Sequence, residues 1–130
     1  MKQVVLLLVS IFCASVAFGQ HTTPWTAPET AKEKKNPFTA DASSIARGEK
    51  SYKKDCLKCH GSEGKGDGSN AMKLDKTVAD FTSEKVQEQT DGELFWKMSE
   101  GRTPMPVAKR TLTDDQRWDV INYIRTFKKK

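Results

Sequence analysis

The side chains of this sequence best suited to chemistry lie within five residues, Cys56-Leu57-Lys58-Cys59-His60. Residues three apart fall on one side of a helical turn, so two thiols project together and an imidazole follows at once. This C-x-x-C-H arrangement is the attachment signature of c-type haem. Both sulfurs reach the vinyl groups along one porphyrin edge and form thioethers, and His60 turns a ring nitrogen to the iron. A structural zinc site fits poorly. It wants four ligands, commonly two separated pairs, whereas no second cysteine pair exists and the only other histidine is His21. A dithiol redox site wants its cysteines after a strand in a βαβ pattern, and no strand pattern precedes Cys56.

An imidazole on one haem face leaves the other open. Met72, Met98 and Met105 are the candidates beyond the N-terminal run. Met98 follows Leu94 by four residues on an apolar stripe and reads as core. Met72 sits in a glycine-rich loop and stays a candidate. Met105 is the favoured sixth ligand, because Pro104 and Pro106 on either side stiffen its segment and keep it out of helix.

Three helices must position these groups. The first is expected from Ser43 to Asp55, capped by Asp41 or Ser43, with Ile45, Gly48, Tyr52 and Cys56 facing inward. Thr90-Asp91-Gly92-Glu93 reads as a capping box that starts the second, and Gly101 as its stop. Leu94, Phe95 and Met98 form its inner face. Thr113-Asp114-Asp115-Gln116 is a second capping box, opening a helix whose inner face is Val120, Ile121, Ile124 and Phe127, with Trp118 and Tyr123 beside it. A short helix is expected near Ser83 to Gln87. Gly61 to Asp80 reads as loop. Gly48 inside the first helix costs up to ~1 kcal/mol relative to alanine, a cost that a close helix crossing would offset.

The chain ends divide from this unit by composition. Residues 1–19 read as a signal peptide: Lys2, then an almost wholly apolar run from Val4 to Phe18, then small residues at Ala17 and Gly19. The run is about 15 residues, short of the ~20 needed to span a bilayer as a helix, which favours cleavage over an uncleaved anchor. Phe12 before Cys13 disfavours lipidation. Residues 20–41, with Pro24, Pro28, Pro37 and the run Lys32-Glu33-Lys34-Lys35, read as a flexible linker, part of which could lie over the domain. Residues 42–130 form the folded domain. With 22 Lys plus Arg against 17 Asp plus Glu, the chain carries a formal charge of +5. Export argues against nucleic acid, so this charge fits an acidic redox partner or an ordinary solvated surface.

The domain resembles the class I cytochromes c of the small bacterial single-haem kind over roughly Ala42 to Phe127. The resemblance rests on Gly48 and Tyr52, Cys56 to His60, Gly61 to Gly68, Asp80-Phe81, Leu94-Phe95-Trp96, Met105-Pro106 and Val120-Ile121-Asn122-Tyr123. It implies an all-α cytochrome c fold of about three main helices and long loops around one covalent haem. It also implies that Gly48 and Tyr52 meet Val120 and Tyr123 where the first and last helices cross, and that Met105 is the sixth ligand. Relatives often place a proline after the haem histidine, whose carbonyl accepts a hydrogen bond from the imidazole. Ser69 holds the corresponding position here.

The expected function is that of an exported single-electron carrier rather than an enzyme, periplasmic or membrane-associated, acting as a monomer or as a subunit of a redox complex. Its partners would be exported or membrane-bound redox proteins. Cys56 and Cys59 would bind haem c, and His60 and Met105 its iron. Thioether ligation and an apolar wall, for which Tyr52, Phe81, Leu94 and Trp96 are candidates, favour the reduced state. Lys53, Lys54, Lys58 and Lys65 are candidates for a docking face. The alternatives are a haem subunit of a larger dehydrogenase or oxidase, and a haem enzyme or gas sensor with an open sixth site.

Overall fold

The computed structural model describes residues 23–129. The expected signal peptide, Cys13 and His21 lie outside the described residues. Six α-helices follow in order: α1 Glu29–Lys32, α2 Ala42–Asp55, α3 Leu57–His60, α4 Glu84–Gln87, α5 Asp91–Glu100 and α6 Asp114–Arg125. Short 3-10 turns occupy Ala71–Lys73 and Ala108–Arg110, and there is no strand among the described residues. The three long helices are those the periodicity predicts. None of the described helices is long and apolar enough to cross a membrane.

The caps form as the sequence dictates. Asp41 accepts from the Ser44 N–H at 2.8 Å to start α2. Thr90 with Glu93, and Thr113 with Gln116, complete reciprocal capping boxes at α5 and α6. Each satisfies backbone donors that a helix start otherwise leaves unpaired, an effect of about 1 kcal/mol.

Helices α2 and α6 cross at Gly48. A Cβ built there would lie 2.0 Å from the Asp119 carbonyl oxygen and 3.0 Å from the Tyr123 Cβ. Only glycine lets the helices come so close, which accounts for its place inside α2. The direct neighbours of Gly48 are thus Asp119 and Tyr123, while Val120 is wholly buried in the core. Tyr52 meets Tyr123 edge-on at 5.2 Å between ring centroids. Ile45, expected on the buried face, is only half-buried, and Ser44 is buried instead.

Ser44 is buried because the crossing carries a polar network. Its hydroxyl donates to Asp119 Oδ1 at 2.6 Å and accepts from Asn122 Nδ2 at 2.8 Å. The Arg47 guanidinium closes on both oxygens of Asp119 at 2.8 and 2.9 Å. No described buried side-chain nitrogen or oxygen lacks a hydrogen-bond partner, so these groups bear no orphan penalty. The apolar core beside it gathers Leu94, Phe95, Met98, Leu112, Trp118, Ile121 and Ile124.

The described part of the expected linker is folded onto the domain. Ala27 and Ala31 are buried. Asn36 Nδ2 donates to Asn122 Oδ1 at 2.9 Å and to the Trp118 carbonyl at 3.3 Å. Residues 23–41 therefore depart from a flexible tether. A few anchors, two buried alanines and one bridging asparagine, suffice where composition alone shows mostly polar residues.

Candidate functional site

The C-x-x-C-H residues follow α2 after a bend at Cys56 and make one turn, α3, with Cys56 as its N-cap. The carbonyls at the end of this turn need donors, and the glycine-rich loop supplies them. Gly66 N–H donates to His60 O at 2.9 Å, Gly68 N–H to Cys59 O at 3.1 Å and Asn70 N–H to Lys58 O at 2.8 Å. The loop thus clamps the turn that carries both thiols and the imidazole.

His60 is buried. Its Nδ1–H donates to the Ala79 carbonyl at 3.3 Å. A carbonyl can only accept, so the proton sits on Nδ1 and Nε2 keeps its lone pair. Burial lowers the imidazole pKa and the Ala79 bond only partly offsets this, so the ring is neutral and able to ligate a metal. The accepting carbonyl is that of Ala79, not Ser69, which is exposed. Loop length explains the difference: residues 61–80 double back, so the chain returns to His60 ten residues later than the proline analogy implies. The ring of Phe81 stacks on His60 at 4.2 Å and 13°. Tyr52 lies next, 6.3 Å from Phe81, and donates its hydroxyl to Gly61 O at 2.7 Å.

Met105 is brought to the site by the segment after α5. Arg102 N–H bonds Met105 O at 3.1 Å and Met105 N–H bonds Arg102 O at 2.8 Å, closing a tight turn over Thr103 and Pro104. Lys76 Nζ donates to Thr103 O at 3.3 Å.

Beside these groups lies a cavity of about 430 Å³, a volume typical of cofactor pockets (~300–1,000 Å³). Cys56, Cys59, His60 and Met105 all line it. Met72 does not, and is 98% exposed. Met98 is buried in the core, as expected, yet also borders the cavity. The apolar wall differs from expectation. Leu74, Val78, Leu112 and Trp25 line it, whereas Tyr52, Phe81, Leu94 and Trp96 do not. Tyr52 and Phe81 stand behind His60, Leu94 belongs to the core and Trp96 borders a second cleft. The sequence carries a helical period for α2 and α5, but the wall is built mostly from loops, which have none.

Burial pushes the Cys56 thiol up to about 12, so as a free thiol it stays protonated. The donor set, two thiols on one turn, a neutral imidazole beside them and a thioether from a second segment, all lining one apolar hollow, fits a covalently held haem. Of the four candidate docking lysines none lines the cavity. Lys53 pairs with Glu49 at 2.7 Å and Lys65 with Glu63. Such exposed pairs contribute little to stability, but they reduce the positive field those two lysines project.

The family model "Cytochrome c" matches residues 45–128. No curated protein matches the sequence. Two solved structures are similar. One is the Kuenenia stuttgartiensis reducing HAO-like protein complex Kustc0457/Kustc0458, with TM-score 0.63 and 29% identity over 72% of this chain and 47% of that one. This chain thus spans about half the length of that relative. The other is the KustC0563 c-type cytochrome, with TM-score 0.56 and 26% identity over 63% of this chain and 98% of that one. With the all-α fold and the thiol-thiol-imidazole turn, the match across residues 45–128 shows that this chain belongs to the cytochrome c family, whose members bind haem c covalently and serve in electron transfer.

Proposed function

We propose that this protein is an exported carrier of single electrons that holds one haem c. Cys56 and Cys59 provide the thioethers, and His60 and Met105 are the axial ligands. The observation that carries this reading is that these four residues line a single cavity while Met72 faces solvent. Haem iron so held supplies one-electron redox chemistry at a potential set by its axial ligands and surroundings. The chain's own residues do the rest. Ala79 fixes the His60 tautomer, Phe81 stacks on its ring, and the Arg102–Met105 turn brings the sulfur to the same cavity. With His60 and Met105 both holding the iron, no position would stay free for a substrate, which favours a carrier over an enzyme or gas sensor. The N-terminal apolar run supports export.

The visible spectrum of the purified protein in both oxidation states tests this. A reducible c-type spectrum that survives on a denaturing gel is expected. Met105→Ala is expected to lower the potential and let carbon monoxide bind the reduced protein rapidly. A colourless protein made alongside haem-attachment machinery refutes the reading, and an unchanged ferric spectrum in Met105→Ala refutes the ligand assignment.

A second reading has its own support. The similarity to about half of a chain in a redox protein complex favours a haem subunit within a larger assembly. Stoichiometric co-purification with a larger protein would bear it out; a monomer that exchanges freely between donors and acceptors would not.

A further inference from the structure

The segment ahead of α2 lies outside the residues that match the family model, yet it reaches the cavity. Trp25 lines the cavity, as do Arg102 and Met105. Arg102 Nη2 donates to the Thr23 carbonyl at 2.9 Å, and its guanidinium lies 6.0 Å from the Trp25 ring centroid. The same Arg102 closes the turn that presents Met105 through its backbone. The segment is also fastened further along. The Ala31 carbonyl sits where a side chain on Gly92 would be, 1.9 Å from a Cβ built there, and Asn36 bonds to α6. Residues 23–36 are thus a strap anchored at α5 and α6 whose first described residues bear on the turn that carries Met105.

We propose that Trp25 and Arg102 are positioning residues for Met105: the strap holds the Arg102–Met105 turn against the cavity and so keeps the thioether on the haem iron. This rests on the ligand assignment above. Arg102 is the joint. Its main chain belongs to the turn, and its side chain grips a carbonyl and an indole face of the strap, a cation–π arrangement that favours one orientation. Lys76 holds the neighbouring Thr103 carbonyl, so the turn is held from two directions. The indole also lines part of the cavity.

An exogenous ligand that competes with Met105 reads this directly, because its apparent affinity scales with the fraction of molecules in which the sixth site is open. Imidazole binding to the ferric, full-length holoprotein is the probe. Trp25→Ala and Arg102→Gln are each expected to raise its affinity about tenfold, by opening the sixth site more often. Trp25→Phe should restore most of the wild-type value. Gly92→Ala, which drives a methyl against Ala31 O and lifts the strap without touching the cavity, should shift affinity in the same direction. Melting is followed in parallel. A folded Trp25→Ala or Arg102→Gln protein that melts lower but binds imidazole as wild type does overturns the proposal, since a merely structural strap would behave so. Met105→Ala separates the two claims. If it too leaves imidazole affinity unchanged, the ligand assignment has failed; if it raises affinity while the strap variants do not, only the strap proposal has.

Discussion

At the α2–α6 crossing, Ser44, Asp119 and Asn122 are buried and find their partners in one another and in Arg47. At the cavity, Cys56, Cys59, His60 and Met105 are brought round a hollow of about 430 Å³ by a one-turn helix, a long loop and a tight turn. The crossing is complete in its own side chains. The cavity side has its polar backbone satisfied, but its apolar wall faces a space that the chain does not fill. Packing supplies the stability of the first, and the bound group must supply much of that of the second, as expected of a domain too small to build a large core. Phe81 and Tyr52 join the two, running from His60 to Tyr123 on α6 through ring contacts worth about 0.5–1.5 kcal/mol each.

Removing the group breaks this comparison most severely. Cys56→Ala with Cys59→Ala should abolish covalent haem on a denaturing gel and lower stability by more than about 4 kcal/mol. Hydrogen exchange should show protection lost first in residues 61–80 and 101–106, with the centres of α2 and α6 the last to open. Uniform loss across both regions would mean that the crossing depends on the group as much as the cavity does.

The crossing can be attacked without touching the cavity. Gly48→Ala forces a methyl into the Asp119 carbonyl and should cost about 3 kcal/mol in denaturant unfolding, with the visible spectrum of the surviving folded protein unchanged. Asp119→Ala leaves the Ser44 hydroxyl without its acceptor and frees Arg47, and should cost about 2 kcal/mol, again with the spectrum intact. A shifted spectrum in either variant would show that the aromatic bridge transmits strain to His60.

The smallest effect concerns the turn that carries Phe81 onto His60. Hydrogen bonds from Thr82 hold the Asp80 carboxyl below the usual carboxylate range. Its folded pKa is lower than its unfolded one, so its contribution is present above its ordinary value of 3.8 and fades as pH falls through the folded value. Asp80→Asn should slightly flatten the acid limb of stability below about pH 4, measured by thermal melts across pH. An acid limb identical to wild type would remove Asp80 from the account.

The crossing was legible in the sequence in outline. Gly48 inside a helix, and the apolar period of Val120, Ile121 and Ile124, announce a close packing of two helices. The network was not, because Ser44, Asp119 and Asn122 look like surface residues unless their partners, 75 and 78 positions apart, are known. On the cavity side the attachment residues stand out, since their spacing is itself the chemistry, and the prolines flag Met105. Leu74, Val78 and Ala79 gave no signal, because loop residues follow no period and a carbonyl belongs to every residue. Trp25 was hidden in a stretch whose composition reads as linker. The buried Ala27 and Ala31, small residues with no pattern of their own, and the lone Asn36 help tie it down.

X-ray absorption at the iron edge tests the central claim most directly, by counting the atoms bound to the metal. The account predicts five nitrogens and one sulfur in the wild-type protein and in Met72→Ala, with the sulfur gone in Met105→Ala. A sulfur that persists in Met105→Ala, or its absence from the wild type, would contradict a haem held between His60 and Met105.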